Sequence, residues 1–132
     1  MKTVYRLILA AALLLACWPA MAAEVVREFR GSRSLDTVEF EVKAPWVLEW
    51  RVAGDFAGSL AVDVSLVEAG TGVHQGNVLK TKNTGNGARL FEQSGRFYFR
   101  INSTMAEWTL KVEQLTAEEA KGYTPKSERD SL

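Results

Sequence analysis

Two neighbouring segments decide the fold: Gly95-Arg96-Phe97-Tyr98-Phe99-Arg100-Ile101-Asn102 and Trp108-Thr109-Leu110-Lys111-Val112-Glu113. Apolar and polar residues alternate in both, and a period of two residues is typical of a β-strand with one face buried. In the first segment, Phe97, Phe99 and Ile101 share one face, while arginine and tyrosine side chains share the other. The two segments together are predicted to form a β-hairpin with one face on a core and the other in water.

The same alternation recurs in residues 38–42, 46–52 and 60–66, and residues 25–30 and 78–82 are further candidates for short strands. Glycine-rich loops and turns separate these segments, and a capping box that starts at Thr116 opens a short helix that Gly122 should stop. About seven or eight strands with no helix between them predict an all-β antiparallel sandwich, jelly-roll-like or immunoglobulin-like, with a short C-terminal helical turn. The β-sandwich domain is expected over residues 23–115, and a short helix and mobile tail over residues 116–132.

The N-terminal 22 residues have the pattern of a secretory signal peptide. Lys2 and Arg6 precede an apolar run over residues 7–16, and Ala20-Met21-Ala22 follows. The run is shorter than the roughly 20 residues that a membrane-spanning helix needs. The sequence therefore predicts a bacterial protein that is periplasmic or secreted. The alternative is a lipoprotein, because Leu14-Leu15-Ala16-Cys17 is similar to a lipobox and would place a lipid anchor on Cys17.

The charge balance gives no electrostatic case for a nucleic acid or an anionic membrane surface. The chain has 16 basic and 16 acidic residues, and loss of Lys2 and Arg6 with the signal peptide leaves 14 against 16, a formal charge of −2. The predicted mature domain has no cysteine, so packing has to stabilise it without a disulfide.

The tryptophans have two interpretations. Trp46, Trp50 and Trp108 could offer aromatic platforms to a sugar, but each shares a face with the aliphatic residues of its own strand. This shared face predicts that all three tryptophans lie in the core.

The candidate binding site is the polar stripe Arg96, Tyr98 and Arg100. A tyrosine between two arginines on a rigid strand suits recognition of a carboxylate, a phosphate or a partner protein. The competing interpretation is local, since the arginines could pair across strands with Glu39, Glu41, Glu49 or Glu113.

No residue pattern points to catalysis, a metal or a cofactor. His74 is the single histidine and is expected in an exposed loop, without a second ligand at metal spacing. The carboxylates alternate outward, so their pKa values are expected to stay unshifted. Non-enzymatic binding is therefore favoured.

A resemblance covers most of the predicted mature chain. It rests on three segments: Phe40-x-Val42-x-x-Pro45-Trp46-x-Leu48-x-Trp50, Ser94-Gly95-x-Phe97-Tyr98-x-x-Ile101-x-Ser103 and the segment from Trp108 to Glu113. In these features the chain resembles small secreted or lipoprotein-like bacterial single-domain proteins, mostly of unassigned function. The resemblance implies a β-sandwich and export, and it assigns no functional residue. Such proteins often carry two cysteines, which this chain lacks.

These observations predict an exported β-sandwich that binds a protein or a glycan of the cell envelope. Two alternatives stay open: a structural or accessory subunit anchored through Cys17, and a small hydrolase or enzyme inhibitor. Fold class does not separate them.

The first test concerns export. Cleavage after Ala22 should give an exported protein that begins at Ala23, because the apolar run and the Ala-x-Ala site have the arrangement that signal peptidase recognises. Intact mass and N-terminal sequencing of the exported protein measure this. An N-terminus at a lipidated Cys17 would instead establish the lipoprotein.

Overall fold

A computed structural model describes residues 24–56 and 58–123. The predicted signal peptide, Cys17 and the tail beyond residue 123 lie outside the described residues. Within the described ranges there are nine β-strands and one short helix, and no helix there is long and apolar enough to cross a membrane. The strands are β1 (Glu24–Gly31), β2 (Leu35–Asp36), β3 (Phe40–Val42), β4 (Trp46–Ala53), β5 (Ala61–Glu68), β6 (His74–Thr81), β7 (Gly85–Phe91), β8 (Gly95–Thr104) and β9 (Glu107–Gln114); helix α1 (Ala117–Ala120) and a 3-10 turn (Lys121–Tyr123) follow.

The strands form two antiparallel sheets, which confirms the all-β sandwich. Sheet 1 has the order β1-β9-β4-β7, and sheet 2 has the order β2-β8-β5-β6, with β3 also paired to β8. The pairs β1–β9, β2–β8, β4–β7 and β5–β6 are nested in sequence around the loop after β5. This is a long antiparallel hairpin rolled into two sheets, the arrangement of a jelly roll. An immunoglobulin-like sandwich groups its strands differently.

The predicted hairpin between the two deciding segments is wrong. Strand β8 lies in sheet 2 and pairs with β5, whereas β9 lies in sheet 1 between β1 and β4. The connection at Met105 and Ala106 therefore crosses from one sheet to the other. The alternation correctly identifies the buried face of each strand, but alternation contains no information about which strand is its neighbour.

The core between the sheets centres on an aromatic cluster. The ring centroid of Phe40 lies 5.0 Å from that of Phe99, 5.8 Å from that of Trp46 and 6.1 Å from that of Phe29. Trp46 also stacks on Phe91, with the centroids 4.2 Å apart and the planes 10° from parallel. These rings come from both sheets, so the cluster joins the two layers.

Val38 does not lie on the buried face with Phe40 and Val42, contrary to the predicted strand 38–42. It is 61% exposed, because the chain bulges between β2 and β3. Asp36 pairs with Arg100 and Phe40 pairs with Phe97. Phe40 therefore lies four residues after Asp36, whereas Phe97 lies only three residues before Arg100. The extra residue shifts the phase of the alternation, and Val38 falls outside the ladder.

The tryptophan prediction is confirmed for Trp46 and Trp108, which are 0% and 2% exposed. Trp50 packs against the core but is only partly buried. Its cross-strand neighbour is on β7, the edge strand of sheet 1, so one side of the ring is less covered. Its ring covers Gly87, where an added Cβ would lie 2.6 Å from the indole. Gly31 leaves similar room for Trp108, with 2.7 Å between its ideal Cβ and the ring.

The two ends of the sandwich differ. At one end the connections are tied by side chains: the Gln114 amide donates to the Lys43 and Pro45 carbonyls at 2.6 and 3.0 Å, and the Trp46 indole donates to the Gln93 carbonyl at 2.8 Å. The opposite end, which we call the loop end, contains the connecting residues 32–34, 54–56, 58–60, 82–84 and 105–106.

The C-terminal capping box is confirmed. Thr116 accepts a hydrogen bond from the Glu119 backbone at 3.2 Å, and the Glu119 carboxylate accepts one from the Thr116 backbone at 3.1 Å. The α-helix ends at Ala120, earlier than predicted, and Gly122 lies within the 3-10 turn.

Truncation of the buried indole in Trp108→Ala should lower the free energy of unfolding by about 3–5 kcal/mol. Trp50→Ala should cost less, because part of that ring is already in water. Chemical denaturation of the two variants measures both losses. Equal losses would mean that Trp50 is as deeply packed as Trp108.

Candidate functional site

Strand β8 places the predicted stripe on the outer face of sheet 2, and both of its arginines are paired. Arg96 lies 3.4 Å from a Glu39 carboxylate oxygen, as the local interpretation expected. Arg100 donates to Asp36 at 3.1 and 3.4 Å, a partner that the sequence analysis did not name. Arg100 also donates to the Tyr98 hydroxyl at 3.4 Å.

These contacts change the character of the stripe. The hydrogen bond and charge of Asp36 raise the pKa of the Arg100 guanidinium further above its ordinary value. Both guanidinium charges are thus balanced by exposed carboxylates, and a free anion would have to displace those carboxylates to bind. The stripe is better suited to a neutral polar ligand than to a phosphate or carboxylate.

A cleft continues the stripe towards the loop end. Its volume is about 600 Å³, and strands β5, β6 and β8 form its floor. Asp63 lies opposite Lys80 on one side and opposite Asn102 on the other, so the three side chains emerge together on the outer face. The full lining is Ser34, Ala61, Val62, Asp63, Lys80, Thr81, Lys82, Asn102, Ser103 and Thr104.

Asp63 is the unusual group of this cleft. Its Oδ1 atom is buried and has no hydrogen-bond partner among the described residues. A buried polar atom without a partner is costly, and a carboxylate oxygen more so, because its hydration is lost without replacement. A ligand that supplies a donor to this carboxylate would recover part of that loss.

The cleft and the stripe form one strip, which we call the β8 strip: Arg96, Tyr98, Arg100 and Asn102, with Asp63 and Lys80 beside its end. Outward residues on one strand recur every ~7 Å, so the strip is about 20 Å long from Arg96 to Asn102. Sequence reasoning found the part on β8. It missed Asp63 and Lys80, because only the strand order brings them to Asn102.

A second polar cluster lies on the outer face of sheet 1, and the prediction of unshifted carboxylates is wrong there. Glu113 is 5% exposed although it faces away from the core, and its cross-strand neighbour Val47 is 0% exposed. The C-terminal segment covers this area: Tyr123 donates to the Glu49 carboxylate at 3.3 Å.

Burial raises the pKa of Glu113, and the neighbouring Glu49 carboxylate raises it further. Lys111 opposes the shift through an ion pair with Glu113 of 3.3 Å. Burial and the Glu49 charge also raise the pKa of the Tyr123 hydroxyl. A cleft of about 500 Å³ beside this cluster is lined by Glu49, Trp50, Arg51, Asn86, Gly87, Ala88, Thr109 and Lys111.

The remaining candidates form no further site. His74 is exposed, as expected, but it begins strand β6 rather than lying in a loop. Over residues 24–56 and 58–123, no three His, Cys, Asp or Glu side chains are placed to hold a metal ion.

Comparison with protein-family models and with curated proteins gives no match.

Glu113→Gln should raise the free energy of unfolding at neutral pH. The pKa of Glu113 in the folded protein lies above its ordinary value of 4.5, so the folded state binds this proton more tightly than the unfolded state. Stability is then lost as the pH rises through the folded-state pKa. The benefit of the amide should be largest at about pH 7 and vanish near about pH 4, as measured by thermal unfolding.

Glu92→Gln, in the exposed connection after β7, is the matched control and should change the melting temperature little at either pH. A Glu113→Gln protein that melted below wild type at neutral pH would show that the ionised carboxylate stabilises the fold.

Proposed function

We propose that this protein is a non-enzymatic binding module of the bacterial cell envelope, and that it binds a hydroxyl-rich ligand, an envelope glycan, along the β8 strip. One observation carries the proposal: the Asp63 carboxylate in the cleft has a buried oxygen without a hydrogen-bond partner. Sugar hydroxyls both donate and accept hydrogen bonds, so a single class of ligand suits the carboxylate of Asp63, the ammonium of Lys80 and the amide of Asn102.

The balance of charge supports a neutral ligand. Arg96 and Arg100 are each within hydrogen-bonding distance of a carboxylate, and the cleft itself carries one acidic and two basic side chains. Polar groups in such mixed sets orient a ligand through hydrogen bonds rather than through net charge. The length of the strip suits a polymeric chain better than a single small molecule.

Rigidity also supports recognition at this face. Strand β8 is paired on both sides, and its inward residues Phe97, Phe99 and Ile101 are 3%, 0% and 1% exposed. The backbone of such a strand is already ordered, so a ligand that binds its outer face orders little additional backbone. Binding at this surface needs no rearrangement of the backbone.

The N-terminal pattern supports placement in the periplasm or outside the cell, where envelope glycans are found. A lipid anchor on Cys17 is the alternative, and it would turn the same binding surface into part of an anchored accessory subunit. The β8 strip is common to both versions of the proposal.

A hydrolase is the second candidate, because Glu113 has a raised pKa beside Glu49. Glycosidases hold their two carboxyl groups about 5–9.5 Å apart, so that the substrate or a water fits between them. Here Glu113 is almost fully buried and paired with Lys111 at 3.3 Å, and the Glu49 carboxylate accepts a hydrogen bond from Tyr123 at 3.3 Å, so both groups are already engaged within the fold. This geometry favours a structural role for the pair over glycoside hydrolysis.

Asp63→Ala and Asn102→Ala should each weaken glycan binding about 10-fold or more, which is roughly 1.4 kcal/mol and the size of one lost charge-assisted or well-placed hydrogen bond. The assay is cosedimentation of the predicted mature protein with purified bacterial cell-wall glycan, together with calorimetry against soluble fragments of it. Simultaneous replacement of Arg96 by Ser, Tyr98 by Phe and Arg100 by Ser tests the rest of the strip.

Arg51→Ser and Thr109→Ala, on the outer face of sheet 1, are the matched controls and should bind as wild type does. The proposal fails if wild type does not bind the glycan, or if the strip variants fold normally and bind as tightly as the controls. Loss of binding in the triple variant alone would limit the site to the stripe.

A further inference from the structure

The loop end presents a second surface, which we call the loop-end cleft. Two large apolar side chains, Phe56 and Met105, flank it and are 59% and 57% exposed. The cleft has a volume of about 520 Å³. Its lining residues are Ser32, Ala53, Gly54, Asp55, Phe56, Met105, Ala106 and Glu107.

Met105 is held in an unusual conformation. Its φ of 53° is the only positive value at a non-glycine position among the described residues. Side chains with a Cβ adopt this left-handed region at a cost, and glycine or asparagine would fit the turn more easily. Burial of the side chain does not offset this conformational cost, because the Met105 side chain is largely in solvent. This turn therefore holds a flexible apolar side chain out in solvent, where a partner can contact it.

The walls of the loop-end cleft are preformed. An added Cβ on Gly54 would lie 2.9 Å from Leu60 and 3.1 Å from the Met105 carbonyl, so the two connections approach closely. Ser103 donates to the Ala106 carbonyl at 3.3 Å and holds the β8–β9 connection in place. On the third side, the Trp108 indole donates to the Arg33 carbonyl at 3.2 Å.

Charge decides what this cleft accepts. The ionisable side chains in its lining are Asp55 and Glu107, both acidic and both exposed. An anionic membrane surface would be repelled by them. A second copy of the chain that docked end to end would bring the same acidic side chains together, which is also unfavourable.

We propose that the loop-end cleft binds a segment of a partner protein in which an apolar side chain is flanked by lysine or arginine. The apolar residue packs between Phe56 and Met105, and the flanking cations pair with Asp55 and Glu107. This surface is separate from the β8 strip, so the protein is able to hold a glycan and a protein at the same time. The inference goes beyond glycan binding and does not depend on it.

The test uses the predicted mature protein and two short labelled peptides, one with a central phenylalanine between lysines and one with the same phenylalanine between glutamates. Fluorescence anisotropy should show binding of the lysine peptide, at least 10-fold weaker binding of the glutamate peptide, and loss of that preference at high salt. Phe56→Ser and Met105→Gly should each weaken binding of the lysine peptide at least 10-fold. Asp55→Asn combined with Glu107→Gln should remove the discrimination between the peptides.

Val73→Ser is the matched control, since Val73 is 53% exposed but lies in the connection between β5 and β6, at the opposite end of the sandwich. It should bind the lysine peptide as wild type does. Glycan cosedimentation should be unchanged in Phe56→Ser and Met105→Gly, which keeps this test independent of the β8 strip.

Three outcomes would overturn the inference. The first is equal binding, or no binding, of the two peptides at millimolar concentration. The second is Phe56-dependent binding to phospholipid vesicles, which would assign the loop end to a membrane. The third is self-association that Phe56→Ser abolishes in sedimentation velocity, which would assign it to a second copy of the chain.

Discussion

The contact between Phe40 and the rings around it is the constraint on which the rest of the structure depends. Phe40 belongs to sheet 2, yet its ring centroid lies within 6.1 Å of Phe29 and 5.8 Å of Trp46, both from sheet 1. Aromatic pairs of this kind contribute about 0.5–1.5 kcal/mol each beyond the burial of their area. Without a disulfide in the described core, the two layers are held together by packing of this kind.

The position of Phe40 also determines the outer face. Because β3 is fixed with Phe40 opposite Phe97, the extra residue between β2 and β3 is expelled as a bulge at Val38. On either side of that bulge, Asp36 comes to lie opposite Arg100 and Glu39 comes within reach of Arg96. The neutral character of the β8 strip therefore follows from an aromatic contact on the other side of the same sheet.

The sequence predicts the parts of this fold that depend on short-range patterns. Alternation identified the buried faces of β4, β5, β8 and β9, since successive side chains on a strand point to opposite sides. Strand pairing was not predictable, because β8 and β9 carry the same signal whether they pair with each other or lie in different sheets. Trp50 shows a further limit: its parity is that of a core residue, but its place opposite the edge strand β7 leaves it half-buried.

The functional surface was predictable to a similar degree. The stripe on β8 was visible because its residues lie two apart, whereas Asp63, Lys80 and Asn102 are far apart in sequence and become neighbours only through the order β8-β5-β6. The exposure of Glu113 was mispredicted for a related reason. Its side chain lies on the outer face of sheet 1, as alternation predicts, but the C-terminal segment folds back over that face and Tyr123 contacts the neighbouring Glu49.

The nested topology explains why the recognition surfaces lie where they do. Each strand of the rolled hairpin reverses direction, so alternate connections collect at the same end of the sandwich. At the end that contains Lys43, Pro45 and Gln93, side-chain hydrogen bonds from Gln114 and Trp46 satisfy the backbone carbonyls and draw the connections together. At the loop end, the connections instead leave clefts and present Phe56 and Met105 to solvent. A tightly bonded end and a packed aromatic core allow the loop end to carry exposed apolar groups and a left-handed methionine, because the fold does not depend on those groups for stability.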